Sequence, residues 1–202
     1  MSIGLLRGSA ALITLSFVLA SAACSDKPEP VPLGDPSASS TGASASPSAG
    51  PRTTTVGNVT ITLPADTDAR EDAVFAGYQA FWQALLKASA KANPQEPILV
   101  ATTTGNARPF FVQYLGNLQI TRRTQSGPVR LHPTAPSLRG SAATLTDCAD
   151  LSRLVIRSAN GKPVGPPDPK TTQIRIELAL QGAKWLVKSY DETARGCRPP
   201  IA

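Results

Sequence analysis

The stretch Ala142-Ala-Thr-Leu-Thr-Asp-Cys-Ala-Asp-Leu-Ser152 decides how this chain is organised. Its alternation of apolar or small residues with polar ones predicts a strand in the middle of the domain. Successive side chains of a strand point to opposite faces of the sheet. Ala143, Leu145 and Asp147 therefore share one face of the predicted strand. Cys148 lies on the other face.

Cys148 predicts a disulfide, because the chain has one other cysteine outside the N-terminal region, Cys197. Cys197 follows a second strand-like stretch, residues 183–190. A bridge between the two cysteines would tie the C-terminal region to the sheet. In the chain-entropy account, closing a loop of about 49 residues stabilises the folded state by roughly 4 kcal/mol.

The first residues predict an export signal that is no part of the fold. Arg7 supplies a positive charge, residues 10–20 are apolar, and small residues follow at positions 21–23. The apolar run is too short to span a bilayer. We therefore expect residues 1–23 to be a signal peptide, removed near Ala22 or Ala23.

The segment Leu19-Ala-Ser-Ala-Ala-Cys24 resembles the lipobox of bacterial lipoproteins, with Ser21 where a large aliphatic residue is usual. The resemblance implies that Cys24 is the acylated N-terminus, held on the outer side of the cell membrane by a diacylglycerol and palmitate anchor. Lipidation would also account for the odd cysteine of an exported chain with three. The alternative is ordinary cleavage, with Cys24 free or removed and the protein secreted in soluble form.

Residues 24–54 predict a disordered tether, because they are rich in Ser, Pro, Ala, Gly and Thr and poor in large apolar residues. A flexible segment of this kind would reach roughly 30 Å. Residues 55–202 remain for one folded domain, which is long enough to enclose a single core.

A long helix is the clearest element of this domain. Asp68 followed by Glu71 predicts a capping box at its start, and Asn93-Pro94 predicts its end. Between these signals, large apolar residues recur at helical spacing and form one stripe. The stripe consists of Val74, Phe75, Tyr78, Phe81, Trp82, Leu85 and Leu86.

Two further helices and then a sheet are expected. Residues 97–102 predict a short helix, and Pro109 fits the first turn of a third helix that carries Phe111 and Tyr114 on its apolar face. Helices followed by antiparallel strands are typical of an α+β fold with the helices packed on one face of a curved sheet. The predicted strands are residues 129–132, 142–147, 154–157, 171–180 and 184–187.

Four segments together resemble the secreted and lipoprotein domains of actinobacteria that have the nuclear transport factor 2-like, or cystatin-like cone, fold. They are Tyr78-Gln-Ala-Phe-Trp82, Ala143-Thr-Leu-Thr-Asp-Cys-Ala-Asp150, Lys184-Trp-Leu-Val187 and Gly196-Cys197. The resemblance covers nearly all of residues 56–198. It implies a cone made of a bent sheet wrapped on helices, and a bridge between Cys148 and Cys197. It implies no activity, since the fold hosts enzymes, binders and scaffolds.

Charge and composition limit the partners. The formal net charge is +6, and the basic residues are scattered through the sheet half instead of forming a run. We expect a solvated basic face; the alternative is contact with anionic lipid or an anionic envelope polymer. Nucleic acid is not an expected partner without a basic cluster or interleaved aromatic residues. No cofactor or metal is expected, because His132 is the one histidine and no phosphate-binding glycine loop is present.

Three functions remain open, and catalysis is the less favoured reading. The first is a non-catalytic, membrane-anchored extracytoplasmic domain that binds a protein or an envelope component. The second is a carrier or sensor for a small apolar molecule, in a pocket made by Phe81, Trp82, Phe111, Tyr114 and Trp185. The third is an isomerase- or hydratase-like enzyme.

The enzyme hypothesis depends on Asp147, which would face the cone interior if Leu145 does. A carboxylate in an apolar cone near Tyr78 or Tyr114 would resemble the acid–base and phenol arrangement of ketosteroid isomerase, whose fold is similar. The favoured reading places Asp147 at the open end of the cone. There it would accept hydrogen bonds from loop backbone or pair with Arg153.

Overall fold

Three helices and nine strands make up residues 50–165 and 171–199, the part of the chain that the computed structural model describes. The predicted signal peptide, Cys24 and the tether as far as residue 49 lie outside the described residues. The helices are α1 (Ala69–Lys91), α2 (Pro97–Thr102) and α3 (Ala107–Ile120). The strands are β1 (Arg52–Val56), β2 (Val59–Leu63), β3 (Thr124–Ser126), β4 (Val129–Leu131), β5 (Ser137–Arg139), β6 (Ala142–Ala149), β7 (Val155–Arg157), β8 (Thr172–Gln181) and β9 (Lys184–Arg195).

Helix α1 begins at the predicted capping box. The Asp68 carboxylate accepts hydrogen bonds from the backbone N–H groups of Arg70 and Glu71, both at 2.8 Å. The Glu71 side chain accepts one from the backbone N–H of Asp68, at 3.0 Å. These bonds satisfy donors that have no partner within the helix. The predicted apolar stripe is buried along its whole length, so α1 forms one wall of the core.

Strands β5, β6, β8 and β9 form an antiparallel sheet in the order β5-β6-β8-β9. Period-two alternation is clear in β8, where Ile174 and Ile176 are buried and Arg175 between them is exposed. Two register shifts interrupt the pairing of β8 with β9, at Gln173/Ile174 and Glu177/Leu178. Irregularities of this kind bend a strand and increase its twist. The apolar face of this sheet packs against α1.

Two smaller sheets complete the domain: β1-β2-β4, and the pair β3-β7. Strand β2 runs parallel to β4, an arrangement that the sequence does not indicate because the three helices separate these strands. Strand β1 begins at Arg52, ahead of the expected domain boundary at residue 55. Its run of β-branched residues favours a strand, and Arg52 forms an ion pair of 2.6 Å with Asp72 of α1.

Cys148 and Cys197 form the predicted disulfide, which joins β6 to the segment just after β9. On the other side of the sheet, α1 and β9 approach so closely that a Cβ atom at Gly77 would lie 2.5 Å from the backbone oxygen of Trp185. Glycine at this position is therefore required for the contact. Among the described residues, no helix is long and apolar enough to cross a membrane. The fold is α+β, with antiparallel sheets and one disulfide.

Candidate functional site

Asp147 lies in β6 and is fully buried in the interior of the domain, where its side chain contacts α1. Its Oδ2 accepts a hydrogen bond from the Tyr78 hydroxyl at 2.7 Å, and its Oδ1 accepts one from the backbone N–H of His132 at 2.6 Å. The alternation predicted for β6 is thus confirmed, since Ala143 and Leu145 are buried on the same side. Of the two expected tyrosines, Tyr78 is the one that contacts the carboxyl.

The chain beside β6 explains the second hydrogen bond. Residues 132–134 run along β6, with a β-bridge between Pro133 and Asp147 and a bond of 2.8 Å from the Thr134 N–H to the Thr146 carbonyl. This path aims the His132 N–H at the buried carboxyl. Asp147 therefore lies deep in the fold and not at an open end, and its partners are Tyr78 and this backbone group instead of Arg153.

Burial controls the electrostatics of this pair. Removal from water raises the pKa of Asp147 to about 7, and the hydrogen bonds from Tyr78 and His132 offset part of that rise. The pKa of Tyr78 is raised well above its ordinary value, first by burial and then by the neighbouring carboxylate. Tyr78 therefore remains a neutral hydroxyl donor, and Asp147 changes its charge near neutral pH.

Trp82 lies one helical turn beyond Tyr78, and the two rings meet edge to face with centroids 6.5 Å apart. The indole ring is 2% exposed. Its N–H has no hydrogen-bond partner of ordinary geometry among the described residues, although it lies close enough to the Tyr78 hydroxyl to lower the pKa of that group slightly. Trp82 thus lies between the Asp147–Tyr78 pair and an open pocket.

The pocket has a volume of about 400 Å³ and lies between α1, α3, the β3-β7 sheet and the second half of β9. Its walls are mainly aromatic and aliphatic, and three polar side chains lie among them. The lining residues are Trp82, Leu85, Phe110, Phe111, Tyr114, Gln125, Leu151, Leu154, Ile156, Tyr190, Glu192 and Arg195. We call this cavity the aromatic pocket.

Tyr190 is the centre of the aromatic wall. Its ring stacks on Phe110 at a centroid distance of 5.9 Å and meets Phe111 edge to face at 5.2 Å. Trp82 meets the same ring at 6.4 Å. Offset and edge-to-face contacts between rings are favourable beyond the area that they bury. Phe110 nevertheless remains 50% exposed, so the pocket opens to solvent beside this ring.

The tyrosine hydroxyls of the pocket are engaged within its own walls. Tyr114 donates to Oε1 of Gln125 at 2.7 Å, and Tyr190 donates to Oε1 of Glu192 at 3.2 Å. Burial, and then the Glu192 carboxylate, raise the pKa of Tyr114 to about 12. Both hydroxyls therefore stay protonated and hold the walls in place.

Three of the five predicted pocket residues, Trp82, Phe111 and Tyr114, line the aromatic pocket. Phe81 lies behind that wall, with its ring 5.0 Å from the ring of Phe111. Trp185 packs under Gly77 at the crossing of α1 and β9, outside the pocket lining. Sequence reasoning missed Phe110, although it adjoins Phe111, and the contribution of Tyr190 and Glu192 from the second half of β9.

In residues 50–165 and 171–199, no three His, Cys, Asp or Glu side chains are grouped as metal ligands. His132 contributes its backbone N–H to Asp147. Its imidazole has a lowered pKa, mainly because it is partly buried.

The aromatic pocket offers apolar and aromatic contacts, with a few polar groups among its lining residues.

Comparison with known proteins gives little guidance. No protein family matches the sequence, and no curated protein is matched either. Among solved structures, the chain is similar to the intermembrane space region of the chloroplast protein ARC6, with 11% identity and a TM-score of 0.44. That likeness covers 63% of this chain and 98% of the other. At this TM-score it carries no conclusion about fold or function.

Proposed function

We propose that this chain is a non-catalytic binding domain of an extracytoplasmic lipoprotein, which takes a small apolar molecule into the aromatic pocket. The observation that carries the proposal is the pocket itself, about 400 Å³ in volume and walled by Trp82, Phe111 and Tyr190. Ligand sites in proteins are concave, mainly apolar and a few hundred cubic ångströms in volume, with a small number of polar groups that orient the ligand. Gln125, Glu192 and Arg195 are the polar groups here.

A binding role is favoured over catalysis by the position of Asp147. The carboxyl is fully buried, and neither it nor Tyr78 is among the residues that line the aromatic pocket. Both of its oxygens already accept hydrogen bonds from the protein. A catalytic acid or base must reach the substrate within hydrogen-bond distance or through one water molecule. We therefore assign the Asp147–Tyr78 pair a structural role and not a catalytic one.

The cone fold is part of the proposal. A long helix against the apolar face of a bent antiparallel sheet supports the nuclear transport factor 2-like assignment, as do the register shifts between β8 and β9. In such a cone, the interior near Asp147 is filled by side chains of this chain, and the aromatic pocket is its open mouth.

The proposed location rests on the sequence and on the disulfide. The apolar run at residues 10–20, the small residues before Cys24 and the Ser- and Pro-rich segment after it support an exported, acylated protein on a flexible tether. A disulfide is also typical of exported proteins. The domain would then bind its ligand at the outer surface of the membrane.

The pocket is tested with N-phenyl-1-naphthylamine, a neutral aromatic probe whose fluorescence rises in apolar sites. We expect residues 24–202 carrying Cys24→Ala, which have neither the predicted signal peptide nor acyl chains, to bind this probe. The further variant Leu154→Gln should weaken binding at least about fivefold, because an amide replaces part of the apolar wall. Leu180→Gln is the matched control. Leu180 is 37% exposed at the end of β8, outside the pocket lining.

Equal loss of probe binding in both variants, or none in either, would show that the probe binds elsewhere and would overturn the pocket assignment. The anchor is tested separately, by the intact mass of protein from a membrane fraction before and after reduction. A diacylglyceryl or triacyl mass on Cys24, with two thiols released by reduction, is expected. An unmodified chain in the soluble fraction would overturn the lipoprotein part alone.

A further inference from the structure

A second concave site lies on the sheet face that points away from α1. Its volume is about 310 Å³, and it is lined by Ser137, Arg139, Ala142, Thr144 and Arg175. We call it the arginine groove. Arg175 is exposed between the buried Ile174 and Ile176, which places the groove on the face opposite the core.

Strand register explains why these side chains meet. Ser137 of β5 pairs with Thr144 of β6, and Arg139 pairs with Ala142. On the other side of β6, Thr146 pairs with Arg175 of β8, so Arg175 lies diagonally beside Thr144. Diagonal neighbours on one sheet face are within reach of long side chains. The two arginines thus approach from opposite sides of β6, with Thr144 between them and the small Ala142 beside Arg139.

The two arginines of the groove are not bound by a carboxylate in the part of the chain that the structure describes. Among the described residues, neither Arg139 nor Arg175 forms an ion pair or a side-chain hydrogen bond. No carboxylate lines the groove. Two carboxylates border the groove on the same face. Glu177 pairs directly with Thr144 across the β6–β8 ladder and forms an ion pair of 4.0 Å with Lys188. Asp191 faces Arg175 across the β8–β9 ladder without forming an ion pair.

This combination has a defined chemistry. Guanidinium groups bind oxyanions through two parallel N–H donors, and phosphate is a preferred partner. The hydroxyls of Ser137 and Thr144 add donors that a tetrahedral oxyanion can use. Two unpaired arginines and two hydroxyls around one concavity therefore provide more directed donors than a scattered basic surface does.

We propose that the arginine groove binds a phosphate-type oxyanion, carried on a phosphodiester of an anionic polymer or lipid headgroup. The groove shares no lining residue with the aromatic pocket. The proposal of an oxyanion site is therefore independent of the proposed function.

The test uses residues 24–202 carrying Cys24→Ala, which lack the predicted signal peptide and cannot be acylated, so that membrane binding reports on the rest of the chain. Binding is measured to a poly(glycerol phosphate) oligomer and to vesicles of phosphatidylglycerol in phosphatidylcholine. We expect Arg139→Gln with Arg175→Gln to weaken binding to at least one of these probes about tenfold or more, because two charge-assisted contacts are lost.

The matched control is Lys91→Gln with Arg123→Gln, which removes the same charge from two other exposed residues. Lys91 lies at the C-terminal end of α1, whereas Arg70 near its N-terminal end donates to the carbonyl of Gly140 in the β5–β6 turn. Arg123 directly precedes β3, which pairs with β7 and is not part of the β5-β6-β8-β9 sheet that carries the groove. Both control residues are therefore outside the groove. We expect the control to weaken binding less than about twofold, because salt largely screens the attraction between a bound oxyanion and two distant charges. Asp191→Asn should instead tighten binding, because it removes the negative charge opposite Arg175.

Groove-dependent binding of the free oligomer would identify a polymer phosphodiester as the ligand, and binding of the vesicles alone would identify the lipid headgroup. A groove variant that binds both probes as well as the control does would overturn the site, because only net charge would then matter. Exposed arginines are not expected to affect folding, and the thermal midpoint of each variant verifies this. Should the double variant unfold, the comparison is made with Arg175→Gln and Lys91→Gln alone.

Discussion

Two tyrosines, each hydrogen-bonded to a carboxyl group, show how differently the two ends of the space between α1 and the sheet are built. Tyr78 donates to Asp147 at 2.7 Å, and that carboxyl is fully buried. Tyr190 donates to Glu192 at 3.2 Å in the wall of the aromatic pocket, where Glu192 is exposed. The same pairing therefore lies in a dry interior at one end and in the wall of an open pocket at a solvated rim at the other. Burial, and not residue type, separates the two pairs.

The largest effect should come from the disulfide, because it joins the two regions: Cys148 follows Asp147 in β6, and Cys197 follows the pocket wall in β9. Replacing both cysteines by serine is expected to lower the free energy of unfolding by about 4 kcal/mol, since the bridge closes a 49-residue separation. Urea unfolding of the variant and the oxidised parent measures this. A loss below about 1 kcal/mol would mean that the regions are held together without the bridge.

Asp147→Ala should have the next largest effect. The variant leaves the Tyr78 hydroxyl and the His132 N–H buried without an acceptor, and it also leaves a small cavity. We expect a loss of about 3 kcal/mol at pH 5, where the native carboxyl is protonated. Asp191→Ala, at an exposed position of β9, is the control and should change stability by less than about 0.5 kcal/mol. Similar losses in both variants would contradict the structural role of the buried pair.

The pH dependence of stability distinguishes the two regions further. The pKa of Asp147 is about 7 in the folded protein, above its ordinary value of 3.8, so the folded state keeps a proton that the unfolded chain has lost between these values. Its contribution to stability is therefore complete below pH 3.8 and is lost as the pH rises through 7. Between pH 5.5 and 7 the loss should be about 1.5 kcal/mol relative to Asp147→Asn.

Urea unfolding of the native chain and Asp147→Asn at both pH values measures this difference, and contributions from other titrating groups cancel in it. Parallel pH profiles would show that Asp147 is solvated in the folded state.

The smallest effect is expected at the rim. Tyr190→Phe removes one hydrogen bond to an exposed carboxylate and should cost about 0.5 kcal/mol, whereas Tyr78→Phe removes a donor from a buried carboxyl and should cost about 2 kcal/mol. Thermal unfolding of the two variants gives the comparison directly. An equal cost would mean that the pocket wall is as closely constrained as the interior.

Local patterns predicted much of this fold. The capping box fixed the start of α1, and strand alternation placed Asp147 on the same face as Leu145. The depth of Asp147 was not predicted, because the favoured position for it was the open end of the cone. Cysteine count predicted the Cys148–Cys197 bridge. Each of these signals depends on neighbours along the chain or on residue chemistry. These features can therefore be predicted without knowing how elements that are distant in the sequence pack together.

The pocket was only partly predictable, for a physical reason. Helical periodicity says which residues of α1 face the core, but not which of them lie at an open end. Trp82 reaches the pocket, Phe81 lies behind its wall, and Tyr78 one turn earlier contacts Asp147. The parallel pairing of β2 with β4 likewise joins two strands that three helices separate in the sequence. Such placements follow from tertiary packing, which overrides local pattern.

The disulfide also has a consequence for the order in which the chain is made. Forty-nine residues separate its cysteines, so the Cys148 thiol emerges well before Cys197 does. During that interval, any earlier free thiol competes for it. Acylation of Cys24, as proposed, would remove this competitor and leave one pairing open. Blocking acylation while keeping the cysteine should therefore yield a Cys24–Cys148 species, detectable by mass spectrometry of non-reduced peptides; its absence would show that β8 and β9 select the partner by themselves.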